Sequence, residues 1–201
     1  MQIEEKIKRA YEESIRVKEQ FFKENISLIR EVAEIIAKTL NEGGKILIFG
    51  NGGSATDASH IAAEFVNRFK RERPGLPAIA LNTDMAVITA IANDYDYSEI
   101  FSKQIKAFGQ QGDIAIGIST SGSSRNVIKG IETAKKRGLK TIAFTSIKGE
   151  KLISKVDYAF AVSSEETPRI QETHITLGHI LCELVEDILF EIPVTKKKVK
   201  Q

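Results

Sequence analysis

Two residues of this 201-residue chain combine side chains and a spacing suited to proton transfer or metal binding: His60 and Glu64. His60 and Glu64 stand four positions apart in a stretch with helical periodicity, so both project from one face. A histidine and a carboxylate placed this way can ligate a metal, or the carboxylate can act as a base, although surface ion pairs share the same spacing. Their place just after the glycine-rich loop Gly50-Asn51-Gly52-Gly53-Ser54 favours chemistry. The other two of the chain's 3 histidines, His174 and His179, follow Arg169-Ile170-Gln171-Glu172-Thr173. His174 reads as a core histidine with a satisfied hydrogen bond, and the apolar neighbours of His179 allow that reading for it as well. Gln171 and His179 are eight residues apart, about 12 Å along a straight helix, too far to share one small ion. Either Gln171 precedes the regular helix or two subunits contribute.

The glycine loop follows an apolar run and precedes a helical pattern, which is the setting of a phosphate site. A nucleoside triphosphate would need a lysine and a hydroxyl after the last glycine. Here Ser54-Ala55-Thr56 follows, and the next lysine is Lys70. Gly50-x-Gly52-x-x-Ala55 satisfies the letters of a dinucleotide fingerprint, which also requires an acid at the end of the second strand. That strand, Ala78 to Leu81, ends in Asn82, and Asp84 lies 29 residues after Ala55. A second loop, Ser119-Thr120-Ser121-Gly122-Ser123-Ser124, carries five hydroxyls in six residues just before a helix. That exceeds what capping uses, and a helix N-terminus attracts anions. One loop is expected to hold a phosphate and the other the body of a small molecule.

The elements that must position these loops are legible from periodicity. Residues 3 to 42 have apolar residues at helical spacing, interrupted only by the turn former Asn25, and predict two helices closed by Asn41-Glu42-Gly43-Gly44. Short apolar runs then alternate with helical segments: Lys45 to Phe49, Ala78 to Leu81, Ile114 to Ser119, Thr141 to Thr145 and Tyr158 to Val162. Continuous apolar runs of this kind are parallel strands covered on both faces. The expected fold is therefore α/β, a three-layer doubly wound five-stranded parallel sheet of the flavodoxin or Rossmann kind. It ends in a long C-terminal helix over Arg169 to Phe190, whose apolar stripe is wide enough to need partners on more than one side. The chain reads as a single domain, 1–201. Residues 1–42 form a helical pair for oligomerisation, 43–192 the α/β core and C-terminal helix, and 193–201 a basic tail.

Composition narrows the partners. Hydrophobic residues make up 42% and charged residues 28%, with a net charge of +2, which is ordinary for a globular protein. The basic clusters Arg68-Phe69-Lys70-Arg71 and Lys196 to Lys200 lack a nucleic-acid motif and read as solvated surface. The single cysteine, Cys182, sits in an apolar run and reads as a small buried hydrophobe. No apolar stretch reaches the ~18 residues that cross a bilayer, and the first residues lack the apolar core of a signal peptide. A cytoplasmic protein with neither nucleic-acid nor membrane partners is expected.

Taken together, Gly50-Asn51-Gly52-Gly53-Ser54, His60-x-x-x-Glu64, Asn93-Asp94, Ser119-Thr120-Ser121-Gly122-x-Ser124 with Asn126-Val127, Arg169-Ile170-Gln171-Glu172 and His179 resemble the phosphoheptose isomerases of the sugar-isomerase (SIS) fold over nearly the whole chain. The resemblance implies conversion of sedoheptulose 7-phosphate to D-glycero-D-manno-heptose 7-phosphate, a first step towards bacterial surface glycans such as lipopolysaccharide. It also implies a homotetramer with active sites between subunits, and zinc (Zn2+) held by His60, Glu64, Gln171 and His179. Glu64 corresponds to the base and His179 to the acid. Ser119, Thr120, Ser121 and Ser124 correspond to phosphate ligands. Asn51, Gly52, Gly53, Ser54, Glu64, Asn93, Asp94 and Gln171 correspond to sugar ligands, and Arg68 to a residue reaching a neighbour's phosphate site. Pro168 stands where some members carry an aspartate. The same fold includes non-catalytic regulators, among them a replication-initiation factor that acts through a protein partner. The segment Arg73 to Asp84 resembles that group too, but it lacks the acid/base pair that Glu64 and His179 supply here.

Overall fold

The computed structural model describes residues 2–190. The elements run α1 (Ile3–Asn41), β1 (Ile46–Gly50), α2 (Gly53–Val66), β2 (Ala78–Ala80), α3 (Met85–Asp94), a 3-10 turn (Tyr97–Glu99), α4 (Ile100–Phe108), β3 (Ile114–Ile118), α5 (Arg125–Lys136), β4 (Lys140–Ser146), α6 (Glu150–Ile153), β5 (Tyr158–Val162) and α7 (Thr167–Phe190). The five strands form one parallel sheet in the order β2-β1-β3-β4-β5. In that order the crossovers change direction between β1 and β3, and ligands of doubly wound sheets bind outside the strand ends at such a switch point. Gly50 pairs with Ile118 in the register, so the glycine loop and the hydroxyl loop leave adjacent strands at one level.

Strand alternation divides the core. Ile46, Ile48, Ile114, Ile116 and Ile118 face α1, α2 and α7, while Leu47, Phe49 and Ala115 face α4 and α5. Both sets are almost fully buried, which is why these strands read as continuous apolar runs instead of alternating ones.

One expectation is corrected. The N-terminal pair is a single helix of 39 residues. Asn25 does not turn the chain, because its side-chain amide donates to the carbonyl of Phe21, 2.8 Å away and one turn earlier. No glycine or proline lies within the helix to end it. The helix packs from Val17 onward on the core, whereas Ile3, Ile7, Tyr11 and Ile15 remain exposed along one stripe. The expected basic tail, 193–201, lies outside the described residues.

His174 is a core residue as expected, fully buried with Nε2 3.0 Å from the carbonyl of Thr145. Burial lowers its pKa to about 4, only partly offset by that hydrogen bond. The unfolded chain therefore takes up this proton first as pH falls, and folding stability drops between about pH 6.5 and about pH 4. The loss should be about 3 kcal/mol for the native histidine. Urea unfolding midpoints across that window check it: a His174→Met variant should show a shallower decline, and equal slopes would refute the assignment.

Candidate functional site

At the switch point the three glycines have three different causes. A Cβ on Gly50 would lie 2.8 Å from the carbonyl oxygen of Ser54 and 2.9 Å from that of Ile118, so this position serves the close packing of α2 on the sheet. Gly52 has φ +54 with open space around it, a left-handed conformation that starts α2 without a side-chain cap. Gly53 is bare because the amide of Gln171 lies over it, 2.5 Å from where a Cβ would sit. Only Gly52 leaves room beside the backbone for a ligand.

Asn51 ties this loop to the hydroxyl loop. Its side-chain amide donates to Oδ1 of Asn126 at 2.9 Å and accepts from Nδ2 of Asn126 at 2.8 Å, a cyclic amide pair across 75 residues of sequence. Tyr97 adds a hydroxyl donor to Asn51 Oδ1 at 3.1 Å. The Asn51 side chain, expected to bind sugar hydroxyls, is thus largely committed to holding the two loops together. A cavity of about 340 Å³ opens beside this link, lined by Asn51, Asp96, Tyr97, Ser98, Ser124, Arg125 and Asn126. On its other side, a cavity of about 440 Å³ includes Gly52, Ala55, Asn82, Met85 and Phe101 among its walls.

The hydroxyl loop is not spent on capping. Ser124 is the N-cap of α5 yet makes no side-chain cap bond. Its hydroxyl instead lies 3.1 Å from that of Ser119, and Ser121 pairs with Ser123 at 2.9 Å. Gly122, at φ +61, carries the loop over Gly149, where a Cβ would come 2.3 Å from the Gly149 Cα. The result is a bend of hydroxyls in front of the N-terminus of α5, the kind of setting in which helix ends receive anions.

The second constellation lies along the seam between α2 and α7. His60 Nε2 is 3.2 Å from Glu64 Oε1, and the rings of His60 and His179 are 4.9 Å apart at 75°. Ligand atoms of His60, Glu64 and His179 all fall within 4.8 Å of one another. Burial, followed by the charge of His60, lowers the pKa of His179, while Glu64 opposes the shift. The helices run in the same direction: Gln171 sits at Gly53, Gly178 lies against Ile61, and His179 reaches His60. Gln171 belongs to regular helix, since α7 begins at Thr167. It therefore lies about 12 Å up the helix from His179, and within one chain it does not join the other three expected ligands.

Among the described residues, no hydrogen bond or ion pair links Arg68, Asn93 or Asp94 to either group. Arg68 follows α2 on the surface, 3.7 Å from Glu72. Asn93 and Asp94 end α3, exposed and bonded to each other at 2.9 Å.

The chain matches the family described as the SIS domain over residues 10–146. Over 201 residues, the full length of both chains, it is 88% identical to a phosphoheptose isomerase of Thermodesulfovibrio yellowstonii. The chain belongs to the phosphoheptose isomerases. Among solved structures it is similar to the phosphoheptose isomerase of Neisseria gonorrhoeae, with 40% identity and a TM-score of 0.87 over 92% of this chain and 100% of that one. The phosphoheptose isomerase of Francisella tularensis gives 37% identity and a TM-score of 0.90 over 93% and 100% of the two chains.

For a phosphoheptose isomerase, the structure adds residues that spacing did not single out for a role. Asn126, 3% exposed, and Tyr97 fix Asn51, and only the meeting of β1 and β3 reveals the partnership. Asp57, one turn before His60 on α2, has a buried Oδ2 with no hydrogen-bond partner among the described residues. Burial raises its carboxyl pKa against the opposing charge of His60. A carboxylate at i−3 from a candidate ligand was the available sequence signal.

Proposed function

We propose that the enzyme interconverts sedoheptulose 7-phosphate and D-glycero-D-manno-heptose 7-phosphate through an enediolate, with Glu64 and His179 as the proton-transfer pair. The supporting observation is that these two side chains, 115 positions apart in the sequence, meet beside His60 in a chain of this family. Moving a carbonyl between C1 and C2 needs a base for the carbon-bound proton and an acid for the oxygens. Glu64 is the base. The lowered pKa of His179 keeps a neutral imidazole near pH 7, which exchanges protons with the substrate oxygens. The hydroxyls of Ser119, Thr120, Ser121 and Ser124 hold the phosphate. The backbone of Asn51 to Ser54, with Asn93, Asp94 and Gln171, binds the sugar chain.

Glu64 lies eleven residues beyond Gly53 on α2, about 16 Å along the helix. That separation supports a site built from two copies, with the phosphate crevice and Gln171 of one facing the His60, Glu64 and His179 group of another. Arg68 reaches a neighbour's phosphate in the same arrangement. Two imidazoles and a carboxylate suit zinc, and a neutral His179 would offer the lone pair of one ring nitrogen while the other ring nitrogen keeps the exchangeable proton. His60, Glu64 and His179 would hold the ion, with Gln171 supplied by the neighbour, and a bound zinc would polarise the substrate oxygens. The product would feed surface-glycan synthesis in the cytoplasm. No helix among the described residues is long and apolar enough to cross a membrane.

The test is turnover of sedoheptulose 7-phosphate by the purified chain, measured with chelator and with zinc restored. Loss and recovery of activity are expected, whereas inactivity on every heptose and hexose phosphate would favour a non-catalytic regulator. Assembly is tested separately. Removing residues 1–20 deletes the exposed stripe of Ile3, Ile7, Tyr11 and Ile15, and light scattering should then show a species smaller than the tetramer. An unchanged mass would rule out that role for the N-terminal helix.

A further inference from the structure

We infer that the buried pair Glu186 and Arg73 positions the His60, Glu64 and His179 group by locking the end of α2, and the loop after it, onto α7. The inference rests on the reading of Glu64 and His179 given above. Both side chains of the pair are 1% exposed, with Nε and Oε2 3.0 Å apart. Glu186 also accepts the backbone amides of Phe69 and Lys70, each at 3.0 Å, and that of Arg71. Arg73 sends its guanidinium into the C-terminus of α2, donating to the carbonyls of Glu64 at 2.9 Å and Phe65 at 2.8 Å. Those carbonyls are among the ones a helix end leaves without partners.

The network thus reaches both halves of the proton-transfer pair, Glu64 directly and His179 through Phe69. It grips the backbone of Glu64 directly. On α7, Glu186 lies seven residues, two turns, beyond His179 and on the same face. The loop it holds places the ring of Phe69 5.6 Å from the His179 imidazole at 31°. Two further pairs, Lys70 with Glu183 and Arg71 with Asp187, fasten the same loop but are exposed and add little.

Stability alone does not account for this arrangement. Burying two charges is costly, and apolar residues of similar volume often serve a core as well or better. What an apolar pair lacks is direction. One carboxylate gathering three amides, and one guanidinium gathering helix-end carbonyls, give a single conformation to a loop whose sequence, Asn67 to Arg73, is mostly charged.

The experiment compares Glu186→Gln with Glu186→Asp as the conservative variant. Ile105→Ala, buried on the opposite face of the sheet, is the control for general destabilisation. Three quantities are read on the full chain: kcat against KM, affinity for zinc alone by chelator competition, and the 13C-labelled histidine spectrum, in which only three signals occur. Glu186→Gln should lower kcat at least tenfold with KM within twofold, weaken zinc at least tenfold, and move the His179 signal as the Phe69 ring leaves it. Glu186→Asp should recover part of each, and Ile105→Ala should change none. A Glu186→Gln protein with native zinc affinity and a native His179 signal overturns the inference, as does an Ile105→Ala protein that reproduces the losses. If Glu186→Gln does not fold, Arg73→Lys is read in the same way. Failure of the proton-transfer reading is distinguishable, because it would show as turnover retained in Glu64→Gln, independently of the zinc and His179 readouts.

Discussion

Glu64→Gln and His179→Gln should each lower kcat for heptose 7-phosphate interconversion by about 10²- to 10⁴-fold, the range carried by a positioned acid or base. Glutamine keeps the shape of Glu64 but has no basic oxygen to take the proton from carbon. In place of His179 it fills part of the imidazole's space but cannot cycle between proton donor and acceptor. Neither change should disturb folding, because the only hydrogen bond Glu64's side chain makes among the described residues is with His60. Both rings packed against His179, those of His60 and Phe69, belong to the same local group. Light scattering should therefore return the wild-type mass for both variants while the assay shows the loss. Near-normal turnover in either protein means that the assignment of base or acid is wrong.

Gly122→Ala should be the most damaging single methyl in the hydroxyl loop. The backbone there is in the left-handed region, φ +61, and the added Cβ would lie 2.3 Å from the Cα of Gly149 and 2.9 Å from its carbonyl oxygen. Backbone cannot rotate away as a side chain can, so the loop 119–124 must lift from the loop after β4. Left-handed strain costs about 1 to 2 kcal/mol, and overpacking adds about 1 to 3 kcal/mol. The hydroxyls of Ser119, Thr120, Ser121 and Ser124 move with the loop, so KM for the sugar phosphate should rise at least tenfold. Gly43→Ala provides the contrast, since φ is +83 there but nothing lies within 4 Å of the new Cβ. It should lower thermal stability slightly and leave KM alone. A Gly122→Ala enzyme with wild-type KM would show that the hydroxyl loop does not hold the phosphate.

Much of the architecture was legible because its signals are local. A strand buried on both faces must be apolar throughout, and the strand runs read from the sequence match β1 to β5 to within one or two residues. The N-terminal helix was misread as two because Asn25 is a turn former whenever its side chain is free to bond its own backbone. Here that side chain is occupied by the carbonyl of Phe21. The two loops were recognisable by composition, and the separation of Gln171 from His179 follows from helical rise alone.

What spacing could not supply is which elements lie side by side. The pairing of His60 and Glu64 belongs to the sequence, because four residues make one helical turn. The arrival of His179 belongs to the tertiary structure, because it requires α7 to run along α2 with Gly178 against Ile61. Likewise the sequence placed Asn51 in a phosphate-type loop, but only the adjacency of β1 and β3 commits its amide to Asn126. Local periodicity sets the face on which a side chain stands. Close packing between distant elements decides what that face meets.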